Sequence, residues 1–78
     1  MARPLYEIAR DIRKHWANPT VYAQPYIGAM REMTTVEKGF YDDPGYEIVA
    51  KFLSNAASWR GAEARRIKAE LRSMIGLK

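Results

Sequence analysis

The sequence predicts an all-α fold, a small three- or four-helix bundle forming a single domain over residues 1–78. Apolar residues recur at helical spacing in four separate stretches, and no stretch alternates apolar and polar residues as a half-buried strand would. Prolines and capping residues stand between those stretches, where helices start and stop. The chain is 47% hydrophobic and 12% aromatic, enough to build one core, while 78 residues are too few to divide into two.

The first stretch places Leu5, Ile8, Ala9, Ile12 and Trp16 at i, i+3, i+4, i+7 and i+11, one buried face of a helix over 4–16, with Pro4 suited to its first turn. Glu7 with Arg10 and Asp11 with Lys14 are i,i+3 pairs on its wet side, each contributing only ~0.2–0.5 kcal/mol. Asn18-Pro19 ends that pattern, because the residue before proline is driven out of helical geometry. A second helix over 24–34, or one starting at Pro19 with a kink at Pro25, is expected from Pro25 and from Tyr26, Ile27, Met30 and Met33. Asp43-Pro44 marks the start of a third: a carboxylate that can cap free amides, then a preset helical backbone angle. Its stripe, Ile48, Val49, Phe52, Leu53 and Ala56, is the densest in the chain and places this helix at the centre of the core. A fourth helix over 59–75 is expected, with Ser58 as its cap, Ala64, Ile67, Leu71, Met74 and Ile75 as its buried face and Gly76 as its stop. Trp59 is expected to wedge between the third and fourth helices, with Gly61 allowing a close approach at the junction.

Several function classes drop out on composition. There is no cysteine and one histidine, His15, so disulfides, iron–sulfur clusters and thiolate or His-based metal sites have no ligands, and no cofactor or metal is expected. Asp42 and Asp43 are adjacent, which suits capping and solvation better than paired acid–base work. Asp11 and His15 have the i,i+4 spacing by which a carboxylate orients an imidazole, yet no nucleophile setting accompanies them. The five glycines match no phosphate-loop spacing. We therefore expect no enzyme, with His15 at the surface. No apolar run reaches the ~18 residues of a membrane span, and no export signal opens the chain, so we expect a cytoplasmic protein without a membrane partner.

Charge is more informative. The net charge is +4, with basic excess over 1–16 and 58–78 and acidic excess over 32–47. Either the segments neutralise one another across the fold, or the basic ends are free to meet a polyanion. On the fourth helix Arg65, Lys68 and Arg72 recur at i, i+3 and i+7 and form a cationic ridge. Such a ridge can neutralise phosphates, dock an acidic protein, or merely cover apolar edges while its charged tips stay wet. Glu63 and Glu70 on the same helix weigh against nucleic acid. Phe40, Tyr41 and Tyr46 cluster around Asp42 and Asp43 in the loop before the third helix, a combination that suits either a protein contact surface or a loop folded back to cap the bundle.

The run Phe52-Leu53-Ser54-Asn55-Ala56-Ala57-Ser58-Trp59-Arg60-Gly61, continued by Ala64-Arg65-Arg66-Ile67-Lys68-Ala69-Glu70-Leu71, resembles a family of short uncharacterised proteins of tailed bacteriophages and prophages, especially actinobacterial ones. Pro25-Tyr26 and Ala29-Met30 fit the same pattern, whereas Tyr41-Asp42-Asp43-Pro44-Gly45 departs from it. The resemblance implies a phage accessory protein made in the bacterial cytoplasm and transfers no catalytic residue. The expected function is therefore non-catalytic binding to a host or phage protein through Phe40, Tyr41, Asp42, Asp43 and Tyr46. The alternative is a nucleic-acid-binding accessory factor using Arg65, Lys68 and Arg72.

Overall fold

Four helices account for the regular structure: α1 (Leu5–His15), α2 (Gln24–Met30), α3 (Gly45–Ser54) and α4 (Ala62–Met74). The computed structural model describes residues 3–37 and 44–76, and no strand occurs among them. Packed pairs run α1–α2, α2–α3, α3–α4 and α4–α1, so the helices close into a ring around one core. Leu5, Ile8 and Ile12 of α1, Ile27 and Met30 of α2, Val49 and Phe52 of α3, and Ile67 and Leu71 of α4 are fully buried there. The helical periodicity of the sequence therefore marks the core face of each helix correctly. Met74 and Ile75, expected on the buried face of α4, are only half-buried where that helix reaches the edge of the core.

The ends of the helices depart from expectation, each for a tertiary reason. α2 stops at Met30 rather than continuing to 34, because the chain beyond it turns back onto the start of α1. There the Thr34 carbonyl accepts the Leu5 N–H at 2.9 Å and the Met33 carbonyl accepts that of Tyr6 at 2.9 Å. Those first-turn amides would otherwise lack partners, so α1 is capped by a distant loop and not by a side chain. Met33 and Val36 are buried by the same excursion. Gly45, the first residue of α3, lies against the backbone of Val36, so close that a Cβ would collide with the Val36 carbonyl. Asp43, the expected cap of α3, lies outside the described residues, as do Phe40, Tyr41 and Asp42.

Ser58 does not cap α4. It is exposed, and the helix begins at Ala62 after Gly61, whose φ of 113° belongs to the region that side chains disfavour. Trp59 accounts for the late start. It turns inward to stack on Trp16, the residue that closes α1, with ring centroids 5.2 Å apart and planes within 4°. Trp16 in turn meets Phe52 edge-on at 6.3 Å. Trp59 is only 4% exposed, and its indole N–H donates to the His15 carbonyl at 3.4 Å. Burying so large a ring outweighs the ~1 kcal/mol that a Ser cap on a longer helix would contribute. Gly61 has open space around its Cβ direction, so it serves the backbone angle rather than a close approach.

Candidate functional site

The charged side chains sort into two arrangements on opposite flanks of α4. Successive helical residues are rotated by about 100°, which gathers Arg65, Lys68 and Arg72 within about 60° of one another and sets Glu63 and Glu70 roughly opposite them, with the buried face between.

On the flank facing α1, the acids are consumed internally. Arg3 grips Glu70 with two hydrogen bonds, 3.0 Å from Nε and 2.8 Å from Nη2, and reaches Asp11 at 3.0 Å. Arg66 bridges Glu63 at 2.7 Å and Asp11 at 3.1 Å. His15 lies 3.0 Å from Asp11 and 3.8 Å from Glu63. Burial alone would raise the Asp11 carboxyl, but hydrogen bonds from Arg66 and Arg3 outweigh it and hold the group below its ordinary value of 3.8. Asp11 thus pairs with Arg3, His15 and Arg66 and not with Lys14. His15 is at the surface, its imidazole held in this network. The two basic ends are tied together by Arg3–Glu70, Arg66–Asp11 and His15–Glu63. Of the acidic middle segment, Glu47 pairs with Lys51 one turn along its own helix.

On the other flank the cations stand without acids. Arg65, Lys68 and Arg72 line an open groove of about 310 Å³ together with Arg60, Gly61, Ala57 and Trp59, and no acidic residue contributes to it. Among the described residues no ion pair involves Arg60, Arg65, Lys68 or Arg72. Lys68 organises the groove: its ammonium donates to the Trp59 carbonyl at 2.6 Å and lies 5.9 Å from the Trp59 ring centre, fastening the 57–61 turn to α4. Burial lowers the Lys68 pKa, and the charges of Arg72 and Arg60 lower it further.

No protein-family model, curated protein or solved structure matches the chain.

The sequence ridge is therefore real and more isolated than its spacing alone shows, because Glu63 and Glu70 point away into the α1 network. Arg60 joins it from the turn, where helical periodicity gives no signal; only the inward fold of Trp59 brings it to α4. Of the expected aromatic and acidic contact surface, Tyr46 is described: it lies in the first turn of α3 and is 46% exposed. Among the described residues no cluster of three or more His, Asp or Glu has the arrangement of a metal site, and no helix is long and apolar enough to cross a membrane.

Proposed function

We propose that the protein is a non-catalytic accessory factor that binds the phosphate backbone of duplex nucleic acid along the α4 groove. The observation that carries this reading is the convergence of Arg60, Arg65, Lys68 and Arg72 on one groove without an acid in its lining. Arg65 to Arg72 spans about 10.5 Å of helix axis. A duplex presents one phosphate per about 1.7 Å of its axis over both strands, so a stripe of this length can reach several of them. Trp59, the ring beside the groove, is buried against Trp16 and cannot offer its face to an unpaired base, which favours a duplex over a single strand. The groove holds phosphate-type donors and no Asn or Gln, which supports binding independent of sequence. The likeness of residues 52–71 to short phage proteins supports a setting in the bacterial cytoplasm, where duplex DNA is at hand.

Four phosphate contacts give a slope of log affinity against log salt of about −3.6, hence a loss of about a hundredfold between 50 and 200 mM salt. Fluorescence anisotropy with a labelled duplex across that salt range is the test. The variant R60Q/R65Q/K68Q/R72Q should keep its helicity and lose both the binding and the slope. Binding that survives the fourfold change would remove the groove from the reading. Absence of duplex binding by the wild type, together with stoichiometric binding of a purified protein partner, would favour the aromatic surface around Tyr46 instead.

A further inference from the structure

A second cationic cleft lies between α1 and α2, lined by Tyr6, Arg10, Arg13 and Arg31, with a volume of about 440 Å³. The three arginines come from two elements: Arg10 and Arg13 from α1, and Arg31 as the residue closing α2. Tyr6, Arg10 and Arg13 fall at i, i+4 and i+7, within about 60° of one another around α1 and roughly 130° from Asp11. They therefore occupy the flank of α1 turned away from the acidic network, as the Arg65–Arg72 ridge occupies the far flank of α4. No ion pair among the described residues involves Arg10, Arg13 or Arg31, and no acidic side chain lines the cleft. Tyr6 is 44% exposed, and its hydroxyl adds a neutral donor beside three guanidiniums. Guanidinium forks match the paired oxygens of a phosphodiester, and three of them on one cleft without a counter-ion repel one another until an anion enters.

We propose that this cleft is a second phosphodiester-binding site and that one molecule bridges two nucleic-acid duplexes. The inference rests on the α4 groove being the first site. The two sites share no residue, and between them stands the α1–α4 seam, whose acids Asp11, Glu63 and Glu70 are already neutralised by Arg3 and Arg66. With the two sites on flanks of α1 and α4 that are each turned away from the seam these helices share, the molecule holds separate backbones rather than two stretches of one straight duplex.

Bridging is measured by immobilising one duplex on beads and adding a second, fluorescent duplex with increasing protein at about 50 mM salt. Retention of the fluorescent duplex should rise and then fall at excess protein, because each site then binds its own molecule; self-association would not produce that fall. The variant R10Q/R13Q/R31Q should still bind a single duplex in solution within about twofold of the parent, while retention drops by about tenfold or more. If its melting shows loss of fold, R10Q/R13Q carries the same comparison. Unchanged retention by the well-folded variant overturns the second site. Single-duplex binding by the wild type without retention overturns bridging and leaves the groove standing, whereas no single-duplex binding at all overturns the groove and this inference with it.

Discussion

Replacing Trp59 by Ala tests the link between the core and the groove. The indole is 4% exposed, stacks on Trp16 at 5.2 Å, donates to the His15 carbonyl and lies beneath the Lys68 ammonium, so truncation removes all of these at once. A Trp→Ala change in a core costs about 3–5 kcal/mol, of which the aromatic pair accounts for ~0.5–1.5 kcal/mol beyond area. A domain of this length has about 4–12 kcal/mol of stability in total, so the variant should be close to unfolded at ambient temperature or melt far below the parent. Trp59→Phe keeps a stacking ring and should lose roughly 1–2 kcal/mol, which leaves a folded protein to measure. Urea titration followed by circular dichroism gives the losses, and a double-mutant cycle with Trp16→Phe isolates the stack. The reasoning is refuted if Trp59→Ala unfolds within about 1 kcal/mol of the parent, because the turn that carries Arg60 to α4 would then be held by something other than this ring.

Other expectations follow from single positions. Gly45→Ala forces a Cβ into the Val36 backbone, which cannot rotate away, and should cost about 1–3 kcal/mol or more in a denaturant titration. Gly61→Ala meets no neighbour but must hold φ at 113°, so it should cost about 1–2 kcal/mol through backbone strain alone, with the groove cations still in place. Asp11, whose folded-state pKa is depressed, contributes stability that is complete above the ordinary value of 3.8 and is lost as pH falls through the depressed one. Thermal melts between about pH 6 and 2 should therefore show a steeper acid decline for the wild type than for Asp11→Asn. Lys68→Gln should loosen the 57–61 turn by removing the bond to the Trp59 carbonyl, and should lower the salt slope of duplex binding by about one phosphate's worth.

The sequence by itself determined the type of the elements and the inward face of each helix, and left their number at three or four. That information is local: the spacing of Leu5, Ile8 and Ile12, or of Ile67 and Leu71, commits one face of a helix to the core whatever lies opposite. The ridge of Arg65, Lys68 and Arg72 was legible for the same reason. What required tertiary structure was everything set by groups distant in the chain. α1 is capped by carbonyls of residues 33 and 34, so no cap residue near Pro4 announces it, and α2 ends early for the same contact. Gly45 is needed because the Val36 backbone presses on it. Ser58 has the chemistry of a cap, yet stacking Trp59 on Trp16, 43 residues away, is worth more than continuing the helix. The site follows the same rule. Glu63 and Glu70 count against an anion partner when α4 is read alone, and cease to do so once Arg3, 67 residues from Glu70, has taken their flank of the helix into a network with α1. Periodicity fixes which way a side chain leaves its own helix, but only the packed ring decides which charges find a counter-charge and which are left facing solvent.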